Sequence, residues 1–277
     1  MKIGLVTDST SDLPGFIIDR HSIEVVPAIL NLGKNSFKDG EGMSREEFYE
    51  CLPGLESSPT TSAPSVGNFQ ACYEKLLTGG ADIVLSIHPP VVLSGIFNAA
   101  RLAAESFGER VHVLDSGQLS LGLGYQVIAA AEAVARGAVL GEILELVMSV
   151  KQRVRVMALL DTMEYLRRSG RVSWAKAMVG GLFNLKPLIE LRFGMVKRIG
   201  QARTRTQGIQ RLIESINKWG PHERMAILHT NAEITARQFL EDLNPNLSHP
   251  AIVVNVTTVI GTHVGPNGLG FAVVPVS

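Results

Sequence analysis

The chain has 277 residues, 45% of them hydrophobic and 19% charged, which is a globular composition with room for two domains. Its 26 basic side chains equal its 26 acidic ones, so charge gives no argument for binding nucleic acid or a membrane surface. Two cysteines, and no apolar run near the ~20 residues of a membrane span, predict a cytoplasmic protein without a disulfide framework or a stable membrane insertion.

The first half of the chain alternates predicted strands with predicted helices. Strands are expected at 2–6, 23–32, 82–88 and 110–115, and helices at 44–52, 65–78, 95–107, 118–135 and 140–150. The stretch 33–42 is polar and is interpreted as turns. Ser44 and Glu47 have the spacing of a capping box, and Ser65 is predicted to cap the next helix. The alternation predicts a mostly parallel α/β/α sandwich.

The pattern changes near residue 152. Strands are expected at 154–160, 188–192, 195–201, 225–229, 252–256 and 271–276, and helices at 162–168, 173–183, 207–219 and 232–243. Phe193-Gly194 predicts a β-hairpin. We therefore predict two domains, an N-terminal α/β domain over 1–152 and a C-terminal α+β domain with a mixed sheet over 153–277.

Two hydroxyl-rich turns each precede a predicted helix, Thr61-Ser62-Ala63-Pro64-Ser65 and Leu93-Ser94-Gly95. The first N–H groups of a helix lack partners and carry partial positive charge, so hydroxyls beside them suit a carboxylate or a phosphate. Both turns belong to successive strand-to-helix connections, which meet at one edge of a parallel sheet, where such sheets bind ligands. Ordinary helix capping is the alternative role for the same side chains.

A glycine-rich stretch near the end of the chain contains a second candidate. Residues 261–270 include four glycines and His263. Glycines permit positive φ and close approach of the backbone, so the stretch is predicted to be a binding loop. Its histidine could donate a hydrogen bond to an anion or transfer a proton; the alternative is a histidine held only by its own loop.

Charged candidates are few. Arg203 and Arg205 follow the predicted hairpin, and their planar guanidinium groups suit an anion, although a solvated basic surface explains them equally well. Asp8 ends the first strand and could bind a metal, act as a base or cap the next segment. His88 precedes two prolines and is interpreted as a loop residue without a role. No cluster of metal-binding residue types has the spacing of a metal site.

The glycines and serines of this sequence do not have the spacing of three common enzyme motifs. Residues 117–124 follow a predicted strand, but Val127 stands where a dinucleotide loop needs its third glycine. Ser94 lacks the preceding glycine of a nucleophile elbow, and no Gly-Lys-Ser or Gly-Lys-Thr phosphate loop is present. These failures favour a binding protein without catalytic machinery of its own.

In combination, the motifs resemble the DegV family of bacterial fatty-acid-binding proteins, which includes the lipid-binding subunits of fatty acid kinase. The resemblance covers essentially the full length. It rests on Val6-Thr7-Asp8-Ser9-Thr10-Ser11-Asp12-Leu13-Pro14, on the two hydroxyl turns, and on Asp115-Ser116, Gly170-Arg171-Val172-Ser173, Lys186-Pro187 and Thr262-His263-Val264-Gly265-Pro266. The chain departs from the family pattern at His88-Pro89-Pro90-Val91-Val92, at Ile96-Phe97 and at Asn267.

The resemblance implies a long-chain fatty acid in a tunnel between the two domains, with no other cofactor and no metal. Its carboxylate would meet Thr61, Ser62, Ser94 and Gly95, and His263 and Arg203 would lie nearby and support phosphorylation. A separate ATP-dependent fatty acid kinase subunit would make the acyl phosphate for phospholipid synthesis, so this chain would be a carrier and not an enzyme. The tunnel wall is expected to include Ile96, Phe97, Leu159, Met163, Met178, Leu182, Phe183 and Leu188.

Two other functions stay open on the sequence alone. One is a stand-alone phosphotransferase or hydrolase acting on a small anion, which would turn over without a partner. The other is a lipid sensor or buffer that serves no kinase, because contacts with a partner leave no readable motif.

Overall fold

A computed structural model describes residues 1–176, 185–245, 247 and 249–276 of the chain. The strands are β1 Ile3–Asp8, β2 Glu24–Val26, β3 Ile29–Leu32, β4 Asn35–Lys38, β5 Thr60–Ser62, β6 Ile83–His88, β7 Val111–Asp115, β8 Arg155–Leu159, β9 Lys186–Arg192, β10 Met195–Ala202, β11 His222–His229, β12 Ile252–Asn255 and β13 Leu269–Pro275. The α-helices are α1 Gly15–His21, α2 Arg45–Cys51, α3 Val66–Thr78, α4 Ile96–Ala104, α5 Leu121–Ala135, α6 Leu140–Arg153, α7 Glu164–Ser169, α8 Ser173–Lys176, α9 Arg205–Lys218, α10 Glu233–Leu243 and α11 Thr258–Val264.

The first sheet is parallel, in the order β2-β1-β6-β7. It confirms the predicted α/β pattern of the first half of the chain. The Ser44 capping box is present at the start of α2, and Ser65 caps α3. The carboxyl ends of β1, β6 and β7 lead into loops at one edge of this sheet, and those loops carry Thr10, Ser94 and Ser120.

The predicted single strand over 23–32 is wrong, because the chain divides it between two sheets. Pro27, which has no N–H to donate to a ladder, lies between β2 and β3. Strand β3 pairs with β4 and β5 in a small antiparallel sheet. The stretch 33–42, interpreted as turns, therefore contains strand β4, and this small sheet holds Thr61.

The third sheet is mixed and has six strands in the order β10-β9-β8-β13-β11-β12. The hairpin predicted at Phe193-Gly194 is confirmed as the antiparallel pair β9 and β10. Only the β11–β12 pairing is parallel among the described strands of this sheet. Together with the parallel sheet, it confirms the predicted combination of an α/β unit with a mixed-sheet α+β unit.

Helix α5 joins the two large sheets. It packs against β1 and β6 of the parallel sheet and against β13 of the mixed sheet. Nearly all its side chains are buried, from Leu121 to Ala133, as expected for a helix that is apolar on every face. One hydrophobic cluster accordingly includes Leu5, Leu123 and Ala272. The predicted domain boundary at residue 152 falls in the last turn of α6 and stays a prediction.

Within the described part of the chain, no helix combines the length and the apolar character that crossing a bilayer requires.

Candidate ligand-binding site

A cavity lies between one face of the mixed sheet, helices α7 and α11, and the loops at the carboxyl edge of the parallel sheet. Its empty volume, part of which is open to solvent, is about 1090 Å³. The walls are mainly aliphatic, formed by Leu93, Leu119, Val156, Ala158, Leu160, Leu166, Ile189, Leu191, Val196, Leu228, Val256, Val259, Ile260, Val264 and Leu269. The polar side chains on the wall belong to Thr10, Thr61, Ser94, Ser120, Arg171, His229, Thr230 and His263.

The structure brings three of the predicted site residues, Thr61, Ser94 and His263, to this one cavity. The Oγ1 atom of Thr61 lies 3.0 Å from Nε2 of His263, although the two residues are 202 positions apart in the chain. Ser94 lies immediately before α4, and its Oγ accepts a hydrogen bond from the N–H of Ile96 at 3.2 Å. The hydroxyl turn is thus at a helix start, as predicted.

His263 has spare hydrogen-bonding capacity. Its Nδ1 atom is buried but has no hydrogen-bond partner among the described residues. Burial, with a smaller contribution from the charge of Arg171, lowers the pKa of His263 to about 4. The imidazole is therefore neutral at pH 7, with one N–H to donate and one nitrogen to accept. A buried polar atom without a partner is costly, and on a cavity wall it is available to bond a molecule in the cavity.

The location of His263 differs from the prediction in one respect. Residues 258–264 form helix α11, so the histidine lies in its last turn and not in a glycine loop. This helix has a glycine at position 261 because Tyr49 packs directly on it, and an added Cβ would clash with the Tyr49 ring and hydroxyl. The close approach that glycines permit is therefore used to pack α11, and the loop begins at Gly265.

Arg171, and not the predicted Arg203, is the arginine that lines the cavity among the described residues. Its Nε donates to the carbonyl oxygen of Leu93 at 3.3 Å, which ties the α7–α8 turn to the hydroxyl turn at Ser94. Arg203 is exposed, and its backbone N–H donates to Gln207; it is not among the described residues that line the cavity. The Gly170-Arg171-Val172-Ser173 motif contributed to the resemblance, but nothing in the local sequence indicated that Arg171 faces the cavity.

Two further predicted carboxylate ligands lie differently from Thr61 and Ser94. Ser62 is exposed, and its Oγ accepts a hydrogen bond from Nδ2 of Asn31 at 3.0 Å. It follows Thr61 on β5, and successive side chains of a strand point to opposite faces. Gly95 is the N-cap of α4 and is exposed.

The predicted tunnel wall needs correction at several positions. Leu159 and Leu188 are buried in a second hydrophobic cluster, whereas their neighbours Ala158, Leu160 and Ile189 line the cavity. The sheet has apolar side chains on both faces, so the sequence alone does not distinguish the two sets of alternating residues. Ile96 is buried in the core that α3 and α4 form with the parallel sheet, and Phe97 is partly buried on α4 without lining the cavity. Met163 packs against a cluster that includes Leu166 of α7. Met178, Leu182 and Phe183 lie outside the described residues.

A buried carboxylate, Asp12, holds α11 in place. Its Oδ1 accepts from the N–H of Thr257 at 2.9 Å, and its Oδ2 accepts from the Ser120 hydroxyl at 2.6 Å. The Arg45 guanidinium lies 3.3 Å from Oδ1. Burial raises the pKa of Asp12 to about 6 even though Arg45 acts in the opposite direction. The Asp12 carboxylate thus fixes both the start of α11 and the cavity residue Ser120.

His88 is not a loop residue, contrary to the prediction. It ends β6 and is fully buried, with Nδ1 2.7 Å from Asp8 Oδ2 and Nε2 2.6 Å from Ser86 Oγ. The Tyr73 hydroxyl donates to the same Ser86 oxygen at 3.0 Å. These residue types are those of a serine hydrolase triad, but Ser86 is sealed in the core, where no substrate carbonyl can reach it.

No group of three or more His, Cys, Asp or Glu side chains in the described ranges could hold a metal ion. The site is an apolar cavity with hydroxyls, a neutral histidine and an arginine at its polar end. Such an arrangement is typical of proteins that bind a small molecule with an apolar body and one polar group.

Comparison with known proteins places the chain within one family. The model of the DegV family, described as uncharacterised proteins, matches residues 2–276. A DegV domain-containing protein of Deinococcus radiodurans is 34% identical over 100% of both chains, and the protein DegV of Bacillus subtilis is 31% identical over 98% of both. This chain belongs to the DegV family.

Solved structures of similar proteins agree with this assignment. A DegV family protein from Thermus thermophilus, described in terms of fatty acid binding, has a TM-score of 0.91 and 33% identity over 100% of both chains. DegV of Bacillus subtilis, described as a fatty acid binding protein, has a TM-score of 0.86 and 30% identity over 99% of both chains.

Proposed function

We propose that this protein binds a long-chain fatty acid in the cavity, with its carboxylate at Thr61, Ser94 and His263. The observation that carries the proposal is the buried Nδ1 of His263, which lacks a partner among the described residues and lies on the wall of a mainly aliphatic cavity. The similar proteins from Thermus thermophilus and Bacillus subtilis, described as binding fatty acids, support it.

The energetics suit an amphiphilic ligand. Each methylene moved from water into an apolar wall contributes ~0.8 kcal/mol, so an acyl chain of about fifteen methylenes contributes ~12 kcal/mol before the entropic cost of binding. A carboxylate leaves water only if strong donors replace its hydration. The Ser94 hydroxyl and the nearby Arg171 guanidinium offer such donors without a metal. Thr61 and the neutral His263 are bonded to each other, so this pair offers one more donor, either the hydroxyl or the Nδ1–H.

We also propose that the protein is a carrier that presents the bound carboxylate to a separate ATP-dependent kinase. The proposal is supported by the donors at the site, which suit a carboxylate; it assigns the Thr61 hydroxyl and the neighbouring His263 imidazole to binding and not to nucleophilic catalysis. In this role Arg171 takes the place that the sequence suggested for Arg203, since it lines the cavity and Arg203 does not.

The test is a measurement of palmitate affinity for the delipidated protein and its variants. Replacing both hydroxyls, with Thr61→Ala and Ser94→Ala together, removes the Ser94 donor and the hydroxyl that shares the second donor with His263, so affinity is expected to fall roughly 10- to 100-fold. Ser62→Ala is the matched control, because its side chain bonds Asn31 and is not on the cavity wall. Undiminished affinity in the double variant, with its thermal stability intact, would reject the carboxylate site.

Native mass spectrometry of the purified protein gives an independent answer. A fatty acid released in near equimolar amount on denaturation is expected. Acyl phosphate formed only after a fatty acid kinase and ATP are added would support the carrier role. Turnover by the protein alone would favour a stand-alone enzyme, and binding without transfer would favour a sensor.

A further inference from the structure

The cavity wall carries a second set of polar side chains, apart from the proposed carboxylate ligands. Its members are Thr10, Ser120 and Thr230, which line the cavity and are 3%, 4% and 3% exposed, respectively. Burying a hydroxyl group without a hydrogen-bond partner costs free energy. The hydrogen bonds that these three residues already make therefore decide which ligand atoms suit this part of the wall.

The hydroxyl protons of Thr10 and Ser120 are donated within the protein. The Thr10 hydroxyl donates to Oδ1 of Asp8, and the Ser120 hydroxyl donates to Oδ2 of Asp12 at 2.6 Å. A hydroxyl group has one proton and two lone pairs, so each oxygen can only accept a further hydrogen bond. Neither oxygen receives one from the described residues. Both residues therefore offer an acceptor to a molecule in the cavity.

Thr230 offers a donor instead. Its Oγ1 accepts a hydrogen bond from the N–H of Gly268 at 2.6 Å, and its own proton has no acceptor among the described residues. Thr230 follows His229, whose carbonyl oxygen accepts from the N–H of Val256 at 2.7 Å. Val256 lies just before α11, so the free donor is close to the start of that helix.

The two acceptors are also tied to the start of α11, whereas the proposed carboxylate site is at its end. The N–H of Ser120 donates to the carbonyl oxygen of Thr10 at 2.8 Å, and the Asp12 carboxyl group bonds both Ser120 and Thr257. The helical rise from Thr257 to His263 is about 9 Å. Because an extended chain advances ~1.2 Å per bond, an acyl chain would reach this level about seven to nine bonds from its carboxylate.

Ser120 keeps its hydroxyl group in a backbone conformation that favours glycine. Its φ is 51° and its ψ is −146°. A side chain is strained in this region, and residues kept in strained conformations are concentrated at functional sites. The strain thus agrees with a binding role for this part of the wall.

We propose that the cavity has a subsite for a hydroxyl group near the middle of the acyl chain, so that mid-chain hydroxy fatty acids are ligands of this protein; this inference rests on the proposed function. The ligand hydroxyl donates its proton to Thr10 or Ser120 and accepts a hydrogen bond from Thr230. A ketone oxygen can only accept, and a methylene group can do neither. A hydroxyl group is therefore the substituent that uses both the acceptors and the donor.

The experiment titrates the delipidated protein with stearate and with stearate that carries a hydroxyl group on its tenth carbon. Against a purely apolar wall the hydroxyl would weaken binding roughly tenfold or more. We expect the wild-type protein to bind the hydroxystearate at least as tightly as stearate. Thr10→Val keeps the side-chain shape and removes an acceptor, so it should weaken the hydroxystearate about fivefold and stearate less than about twofold.

Thr7→Val is the matched control for this substitution. Thr7 is also fully buried, and its hydroxyl donates to the carbonyl oxygen of Ile87 at 2.9 Å, but it is not among the described residues that line the cavity. This variant should leave the ratio of the two affinities unchanged. If Thr10→Val does not fold, Thr230→Val tests the same subsite by removing its donor, with the same selective loss expected.

The outcomes separate the two proposals. Stearate binding with a tenfold or greater loss for the hydroxystearate would overturn the hydroxyl subsite and leave the fatty acid site standing. Equal effects of Thr10→Val on both ligands, or the same change of ratio in Thr7→Val, would also overturn the subsite alone. Binding of neither ligand by the wild-type protein would reject the fatty acid site and the subsite together.

Discussion

Two histidines differ in how completely their hydrogen bonds are satisfied, His88 in the core and His263 on the cavity wall. His88 is fully buried and both ring nitrogens have partners, Asp8 and Ser86. His263 has one partner, Thr61, and its buried Nδ1 has none among the described residues. A closed network contributes to a unique core, whereas an open one on a cavity wall leaves a polar atom available to a ligand. The comparison supports a structural role for His88 and the proposed binding role for His263.

The sharpest test of this contrast is to remove each imidazole. His88→Ala would leave the Asp8 carboxylate and the Ser86 hydroxyl buried without their partner, so the free energy of unfolding is expected to fall by about 3–5 kcal/mol. His263→Ala should cost much less stability, because the Thr61 hydroxyl that loses its partner faces the cavity and not the core. The same variant should weaken palmitate binding, because a proposed contact of the carboxylate is removed. Chemical denaturation and ligand titration of both variants measure this. A similar loss in the free energy of unfolding of both variants would contradict the proposed difference between the two histidines.

Asp12 lies between these extremes, since it is buried and bonded but still titrates in an accessible range. Its pKa rises to about 6 in the folded protein from its ordinary value of 3.8. The folded state thus prefers the protonated acid, and the stability this contributes is present below pH 4 and lost as the pH rises through 6. Relative to Asp12→Asn, whose amide does not titrate, the wild-type protein should lose about 3 kcal/mol between pH 4 and pH 7. Denaturation of both proteins across this range measures the difference, and a constant difference would contradict it.

His263 has the opposite pH dependence. Its folded pKa of about 4 lies below the usual 6.5, so the stability of the neutral ring is present above pH 6.5 and lost as the pH falls toward 4. The Asp12→Asn comparison cancels this contribution because both proteins contain His263.

A smaller effect is expected from the helix that carries His263. Gly261→Ala would place a methyl group against Tyr49, so α11 would have to shift, at a cost of about 1–3 kcal/mol. Because this shift moves His263 relative to Thr61, palmitate affinity should fall as well. Gly141→Ala, at a helix position with open space around it, is the control and is expected to be neutral or slightly stabilising. Unchanged affinity in Gly261→Ala would show that the position of α11 is not critical.

The sequence predicted those parts of the molecule that depend on local chemistry. The Ser44 capping box, the cap at Ser65 and the hairpin at Phe193-Gly194 depend on neighbouring residues, and all three are confirmed. Thr61, Ser94 and His263 were each chosen from local signals, and the structure brings them to one cavity. Their role as carboxylate ligands stays a prediction.

The predictions that the structure corrects share a different cause, because each concerns contacts between distant parts of the chain. His88 has no role until Asp8, 80 residues earlier, is placed beside it. Leu159 and Ala158 differ by one position on a strand that is apolar on both faces, so only the completed sheet shows which one meets the cavity. Arg171 and Arg203 are equally basic in sequence, and tertiary packing alone directs Arg171 to the site.

Helix α5 has a consequence for how the chain can be divided. Because it has apolar contacts with both large sheets, separating the sheets would expose one side of this helix to water whichever piece retained it. A fragment ending near residue 152 would therefore expose an apolar surface of α5, and the complementary fragment would lack part of its hydrophobic core. The two sheets are therefore expected to unfold together as one cooperative unit, and the cavity between them to be lost with them.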